Sequence, residues 1–225
     1  RVEVDDYLSE KEQVQKIREW WRENGPYVIA GLVLGIGGLV GWNYWKSYKI
    51  SQAEEAGAIY MQLSEMAESG DQAAAAAALA DLEADYAGTP YLDQARLMMA
   101  RMMVEKGEFE GAAAHLADVV ESTSDPELER VARIRLARVW LAAGQHQQAL
   151  DVLDLSRAGA FAARFHEIRG DALASRGEDQ AAIEEYRLAL QGGVEGVVDR
   201  QAVLLKLDAL GGSPDDIGPE PSGDA

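Results

Sequence analysis

The sequence predicts an all-α protein in which a single transmembrane helix is followed by an α-solenoid of about four helical hairpins plus a capping helix. Two observations predict this fold. An uncharged apolar run of 19 residues lies near the N-terminus, and a glycine recurs every 33 to 37 residues through the alanine-rich remainder. No segment shows the alternating polarity that is typical of strands.

Residues 1–25 precede the apolar run, and their pattern is typical of an amphipathic helix. Between Glu10 and Asn24 the apolar residues recur at helical spacing, at Val14, Ile17, Trp20 and Trp21. Gly25–Pro26 then predicts a helix end and a new start, because glycine closes helices and proline fits a first turn. We therefore expect a short helix at the cytoplasmic membrane interface.

The apolar run from Tyr27 to Trp45 predicts a transmembrane helix within residues 26–45. At about 1.5 Å per residue, 19 residues nearly cross a hydrocarbon core of about 30 Å. Aromatic side chains, which favour the two headgroup regions, flank the run at Trp20, Trp21, Trp42, Tyr44 and Trp45. Because 26 mostly polar residues come first, we expect an uncleaved anchor rather than a signal peptide.

Glycines within the run indicate a surface for another transmembrane helix. On a helical wheel Gly31, Gly35 and Gly38 form one stripe, and Gly37 and Gly41 form a second small-xxx-small pair beside it. Small residues let membrane helices approach closely, although glycine is also common in such helices without a packing role. The predicted role of this stripe is helix packing.

The distribution of cations around the run predicts its orientation. Four cations precede it within 20 residues, namely Lys11, Lys16, Arg18 and Arg22. Only Lys46 and Lys49 follow closely, and the next cation is Arg96. Since cytoplasmic flanks carry the excess of Lys and Arg, we expect a cytoplasmic N-terminus and a C-terminal domain on the other side.

Residues 46–210 contain a repeated unit whose invariant position is a glycine. Alanine follows each glycine by five residues, a large apolar residue follows by nine, and a mostly small residue precedes it by seven. The glycines are Gly70, Gly107, Gly144 and Gly177, and the alanines five residues later are Ala75, Ala112, Ala149 and Ala182. The large residues nine positions after the glycines are Leu79, Leu116, Leu153 and Tyr186. The residues seven positions before the glycines are Leu63, Ala100, Ala137 and Gly170. Small residues at helix crossings and a glycine at each turn are the tetratricopeptide pattern, here degenerate because the consensus early aromatic is missing.

The periodicity predicts helices at about 50–68, 72–86, 91–106, 109–121, 126–143, 146–156, 160–175 and 179–191, with a capping helix at 195–210. Thr89–Pro90 and Ser124–Asp125–Pro126 indicate two helix starts, since Ser, Thr or Asp can cap free amides and proline fits the first turn. Residues 211–225 are rich in glycine, proline and acid, so we expect a disordered acidic tail.

The net charge of −18 lies in the second part of the chain. Residues 1–49 hold seven cations and seven acids, whereas residues 50–225 hold 14 cations and 32 acids. Such a domain repels nucleic acid, which we exclude as a partner. A high-salt environment would also select an acidic surface.

The residues needed for catalysis or metal binding are not clustered in the sequence. Cysteine does not occur, and the three histidines, His115, His146 and His166, lie on different predicted helices. The serines lack a nucleophile elbow, and no GK[ST] follows the membrane glycines. We predict that the protein is not an enzyme and needs no cofactor or metal.

The inner face of each first helix predicts a groove for an extended peptide or a partner's helix. This face would present Gln94, Leu97, Arg101, Ile134, Arg138, Leu141, Glu167 and Asp171. A mixture of apolar, cationic and anionic side chains favours protein contacts over a small-molecule pocket. The alternative is that Arg101 and Arg138 only make salt bridges within their own repeats.

The chain resembles the YfgM-type ancillary subunits of the SecYEG translocon over nearly all of residues 10–210. The segments that carry the resemblance are Glu23–Gly25, the glycine-rich run that ends in Gly41–Trp45, Leu136–Val139, Arg169–Leu173 and Ser175–Gly177. The membrane block is the most specific of these.

The resemblance implies a single-pass protein of the bacterial inner membrane with a periplasmic domain. It implies association with SecYEG and with a PpiD-like membrane-anchored chaperone, near unfolded secretory polypeptides that leave the channel. It thus implies a non-enzymatic scaffold or chaperone-like factor. The alternative that the sequence leaves open is a tetratricopeptide adaptor for another envelope-assembly complex.

Overall fold

The computed structural model describes residues 10–191 and 197–213, and within these ranges the chain is helical and contains no strand. The predicted all-α class is confirmed. The helices are α1 (Glu10–Ser69), α2 (Gln72–Asp85), α3 (Pro90–Glu105), α4 (Phe109–Ser122), α5 (Pro126–Ala142), α6 (His146–Val152), α7 (Ala162–Ser175), α8 (Asp179–Gln191) and α9 (Arg200–Ala209). By its contacts the chain divides into an N-terminal unit, which ends at Glu54, and a helical array, which begins at Glu55.

Helix α1 continues through Gly25 and Pro26, so the predicted helix end at this point is wrong. Proline removes one backbone donor and costs about 3 kcal/mol in a helix interior. The Trp21 indole covers Gly25, where an added Cβ would lie 3.3 Å from Nε1, and Asn24 Nδ2 donates to the Trp20 carbonyl at 3.0 Å.

The apolar part of the N-terminal unit has no protein packed against it. Every residue from 26 to 50 is exposed, including Leu34 and Leu39. Among the described residues, α1 is the one helix that is long and apolar enough to cross a membrane. An uncovered apolar surface of this length is unfavourable in water, which agrees with the predicted membrane anchor.

The array is built from hairpins that close at the four predicted glycines. Their φ angles are +73° to +78°, a left-handed conformation that L side chains disfavour. At each turn the amide of the residue after the glycine donates back to the carbonyl of a residue in the last helical turn. These bonds join Asp71 to Met66, Glu108 to Met103, Gln145 to Trp140 and Glu178 to Leu173, at 2.8 to 3.0 Å.

The core of the array runs along the hairpins and is formed by the repeat positions. The four alanines that follow the turn glycines by five residues are each 0% exposed. The large residues four positions further on, from Leu79 to Tyr186, are also buried. The positions that recur in the sequence are therefore core positions of the array.

The two predicted proline-marked helix starts differ in their caps. Asp125 caps α5, since its Oδ1 accepts from the amides of Glu127 and Leu128 at 2.9 and 3.3 Å. Thr89 precedes α3 but does not cap it with its side chain, because its hydroxyl donates to the Tyr86 carbonyl at 2.8 Å.

The predicted helix at about 50–68 is the C-terminal part of α1, and the other helix boundaries differ from the predictions mainly in the last two repeats. Helix α6 ends at Val152, and two 3₁₀ turns, Leu155–Arg157 and Gly159–Phe161, lead into α7. The capping helix α9 begins at Arg200, where the Asp199 side chain accepts from the Ala202 amide at 3.1 Å. The predicted tail, residues 211–225, lies outside the described residues from position 214 onward.

Candidate partner-binding groove

The array carries an open groove with a volume of about 550 Å³. Helices α3 and α5 provide most of its lining, with single contributions from α1 and α4. Its lining residues are Tyr60, Gln94, Leu97, Met98, Ala100, Arg101, Val104, Glu105, Leu116, Arg135, Arg138 and Val139.

The floor of the groove is apolar. Leu97, Leu116 and Val139 are at most 8% exposed and belong to the core that joins α3, α4 and α5. At one end the Tyr60 ring packs against Tyr91, with ring centroids 5.8 Å apart. This floor can accept apolar side chains without rearrangement of the core, because it is already formed by packed helices.

The rim of the groove carries three arginines and one acid. The Arg101 side chain is 81% exposed and donates from Nε to Glu105 at 2.9 Å. Arg135 and Arg138 are exposed and make no ion pair or hydrogen bond among the described residues. Arg101 therefore does make a salt bridge within its own repeat, whereas Arg138 does not. An exposed pair such as Arg101–Glu105 contributes only about 0.3–0.5 kcal/mol, so it can open for a partner.

Arg101 and Arg138 occupy equivalent positions of successive repeats, directly after Ala100 and Ala137. The same position holds Ser64 in the first repeat and Asp171 in the fourth. The positive charge is thus confined to the second and third repeats. Arg135 adds to it from one helical turn before Arg138.

Four of the eight residues predicted for the groove line it: Gln94, Leu97, Arg101 and Arg138. Ile134 is 8% exposed and packs in the next core cluster, against which Leu141 also packs. The sequence reasoning missed Tyr60, Met98 and Arg135. Arg135 could have been found, since it lies three residues before Arg138 and helical residues at that spacing share a face.

Glu167 and Asp171 do not line this groove, in contrast to the prediction. Lys206 of α9 donates to Glu167 Oε1 at 3.0 Å and to Asp171 Oδ2 at 2.9 Å. Arg164 Nη1 donates to the other Glu167 oxygen at 2.5 Å, and the Tyr186 hydroxyl donates to Asp171 Oδ1 at 2.9 Å. These five side chains form the cap cluster, which holds the capping helix against the fourth repeat.

Charge in the cap cluster is compensated internally. Glu167 is only 5% exposed, which would be unfavourable for an unpaired carboxylate. Burial lowers the pKa of Lys206, but hydrogen bonds to Asp171 and Glu167 more than offset this effect and the net pKa is raised. Burial and the Asp171 charge raise the pKa of Tyr186. The cluster is therefore a structural contact that leaves little capacity for a ligand.

The glycine stripe of the N-terminal unit is an open surface. A Cβ added at Gly31, Gly35, Gly37, Gly38 or Gly41 would have no neighbour within 4 Å. The predicted interface aromatics Trp20, Trp21, Trp42, Tyr44 and Trp45 are exposed as well, and the Trp42 and Trp45 rings lie 5.3 Å apart. Both surfaces are free to contact lipid or another helix.

The three histidines form no metal site in the described part of the chain, where no group of His, Asp and Glu is arranged to hold an ion. His166 Nδ1 lies 2.7 Å from Glu185 Oε2 and joins α7 to α8. Burial lowers the pKa of His115. These contacts are consistent with packing roles.

Comparison with known proteins places the fold and the membrane segment in one family. A family model described as a tetratricopeptide repeat-like domain matches residues 18–212. A Haemophilus influenzae protein named ancillary SecYEG translocon subunit is 30% identical over 203 residues, which cover 90% of this chain and 98% of that protein. Proteins of the same name from Escherichia coli and Neisseria gonorrhoeae are 35% and 28% identical, over 87% and 91% of this chain and 92% and 98% of their own. No solved structure matches the chain.

Proposed function

The chain belongs to the family of ancillary SecYEG translocon subunits, which is not enzymatic, and from this premise we propose that it is a membrane-anchored accessory subunit of the SecYEG translocon. One observation carries the proposal. The similarity extends from residue 18 through the apolar part of α1 to residue 212, so it includes both the anchor and the array.

In this proposal the anchor holds the array beside the channel, and the array contacts other proteins. The N-terminus is cytoplasmic, α1 crosses the inner membrane, and the array lies in the periplasm, as the cations before and after the apolar run favour. Tethering raises the local concentration of the array beside the channel without any new bond. The groove then acts as a scaffold or chaperone-like surface for a PpiD-like membrane-anchored chaperone or for emerging secretory polypeptides.

The glycine stripe is the surface proposed to contact the translocon helices. A photo-crosslinking amino acid at Gly35 in the full-length protein, in its native membrane, should form adducts with SecYEG subunits. Ile36, which lies at least about 100° around the helix from every glycine of the stripe, is the matched control and should form fewer adducts. Adducts with the helices of a different envelope complex, or equal yields from both positions, would argue against the proposal.

Partners and topology are tested by two further measurements. Affinity purification in a mild detergent, followed by mass spectrometry, should recover SecYEG and a PpiD-like chaperone. Recovery of another envelope-assembly complex without SecYEG would support the adaptor alternative. Alkaline phosphatase fused after Ala225 should be active, since this reporter folds only outside the cytoplasm, and an inactive fusion would overturn the orientation.

A further inference from the structure

We propose that the groove binds an acidic polypeptide segment, whose carboxylates pair with Arg135 and Arg138 and whose apolar side chains contact the floor. This inference rests on the proposed function in taking the groove as a contact surface for polypeptide. It goes beyond the proposed function by stating which side chains, acidic and apolar, the bound polypeptide segment carries.

The unpaired state of Arg135 and Arg138 is the first observation behind the proposal. Every other arginine in the described part of the array donates to a carboxylate or a carbonyl oxygen. Arg133, for example, donates to Glu129 at 3.0 Å. Within α5 no local pair is possible for either arginine, because the residues three and four positions from Arg135 and Arg138 include no acid.

The second observation is the charge of the surrounding protein. Residues 50–225 hold 32 acids against 14 cations, so acids are abundant, yet no acid in the described part of the chain pairs with these two arginines. Glu105 is the one acid that lines the groove, and it is bound by Arg101. Because the guanidinium group presents several donors in a fixed plane, two arginines one turn apart suit carboxylates better than a diffuse anion.

The third observation is that the apolar floor adjoins these charges. The apolar surface open to an occupant comes mainly from Val104, which is 38% exposed, and from the half-buried Met98, which line the groove beside Leu97. A volume of about 550 Å³ accommodates a few side chains of an extended or helical segment rather than a folded domain. An occupant with alternating acidic and aliphatic residues satisfies both parts of the surface, whereas a purely acidic segment leaves the floor in contact with water.

The acidic residues at the end of this chain are a competing occupant. Residues 214–225 contain four acids, Asp215, Asp216, Glu220 and Asp224, but only one large apolar residue, Ile217. Such a segment offers charge to the arginines and little surface to the floor. We therefore assign the groove to a second polypeptide.

The experiment measures binding of a labelled 12-residue peptide with four glutamates and four leucines, and of its twin with four glutamines and four leucines. The protein is the full-length chain in nanodiscs of neutral lipid, and the readout is fluorescence anisotropy. We expect the glutamate peptide to bind about fivefold tighter than its twin, as two exposed ion pairs allow. The double variant Arg135→Gln, Arg138→Gln should lose this preference.

A matched variant controls for the change in net charge. Lys106→Gln, Arg176→Gln also removes two cations, but these residues lie at helix ends outside the groove, where they contact Gln72 and Glu178. It should keep the preference for the glutamate peptide. Equal binding of both peptides to the unaltered protein, or an equal loss in both double variants, would overturn the proposal.

Two further outcomes identify other occupants. If Asp215→Asn, Asp216→Asn, Glu220→Gln raises affinity for the glutamate peptide about fivefold, the chain's own acids occupy the groove and the assignment to a second polypeptide is wrong. If the arginine pair controls binding to phosphatidylglycerol vesicles and not to the peptide, the site is a lipid site. The same preparations are also tested for binding of SecYEG, which separates the two proposals. If SecYEG binds but the protein shows no preference for the glutamate peptide, the proposed function is supported and only the acidic-segment proposal is wrong.

Discussion

At the scale of single residues, the fourth repeat differs from the second and third at two core positions that contact each other, with a smaller residue at one and a larger residue at the other. The second and third repeats pair Ala100 with Leu116 and Ala137 with Leu153 at the equivalent sites, whereas the fourth pairs Gly170 with Tyr186. A Cβ at Gly170 would lie 2.5 Å from the Tyr186 ring.

Arg169–Gly170–Asp171 has the sequence of an adhesion tripeptide, but its side chains make contacts within the fold. Arg169 is bound to Glu185 and Asp171 to Lys206, so the segment is structural.

Gly170→Ala should destabilise the array by about 1–3 kcal/mol, because the ring is part of the core and cannot move freely. Gly111→Ala is the control: its Cβ would meet only the flexible end of Met103, and alanine favours the helix. Urea denaturation followed by circular dichroism measures both. Adding Tyr186→Leu to Gly170→Ala restores the pairing of the other repeats, so the double variant should be more stable than the sum of the single effects. Strict additivity would contradict this account.

At the scale of helices, local caps and contacts between neighbours have separate roles. Asp125 satisfies free amides at the start of α5, which carries both unpaired arginines of the groove. Glu185 of α8 accepts from Arg169 and lies 2.7 Å from His166, so it joins α8 to α7. The Asp125 cap can be predicted from the sequence, because it joins neighbouring residues. The contacts of Glu185 with α7 can be identified only once the fold is known.

Removal of the α5 cap should have a measurable cost. Asp125→Ala should lower the free energy of unfolding by about 1 kcal/mol, since the amides of Glu127 and Leu128 lose their acceptor. Ser124→Ala, at the exposed neighbouring residue, should change it little. A comparable effect of both substitutions in urea denaturation would show that the cap is not the cause.

Stability should fall in acid as Glu185 becomes protonated. Burial raises the pKa of this carboxyl, but the contacts with His166 and Arg169 outweigh burial and the net pKa lies below its ordinary value of 4.5. A lowered folded-state pKa contributes stability above pH 4.5 that is lost as the pH falls through the folded value. Glu185→Gln should therefore flatten the stability curve below pH 4.5, while Glu184→Gln at an exposed site should not. Parallel curves for all three proteins would refute the assignment.

At the scale of the whole molecule, charge repulsion and local ion pairing oppose each other. The net charge of −18 disfavours the compact state, whereas pairs such as Arg133–Glu129 favour it. Most pairs are partly exposed and contribute about 0–1 kcal/mol each. Repulsion should therefore dominate the dependence of stability on salt.

Raising NaCl from about 50 to 500 mM should raise the urea midpoint of the array, because salt shortens the Debye length and screens the excess of acids. The same change should weaken binding of the glutamate peptide to the groove, since that attraction is also screened. The two responses have opposite signs, and both can be measured on one preparation. A midpoint that falls with salt would mean that ion pairs outweigh repulsion.

Features that depend on local backbone conformation and on periodic burial could be predicted from the sequence. The glycines from Gly70 to Gly177 mark left-handed turns and the apolar run marks an exposed membrane-type helix, because each pattern lies within a few dozen residues. Gly25–Pro26 is the exception, because this local helix-breaking signal does not end α1, which continues through both residues.

Which charged side chains are paired within the described residues could not be predicted from the sequence, because it depends on the fold. Lys206 lies 39 residues from Glu167 and 35 from Asp171, so no local pattern could show that α9 neutralises two predicted groove acids. The same holds for Arg135 and Arg138, since the absence of a partner among residues 10–191 and 197–213 depends on which described elements face α5. Hydrogen bonds and ion pairs act only over a few ångströms, and the fold alone sets those distances.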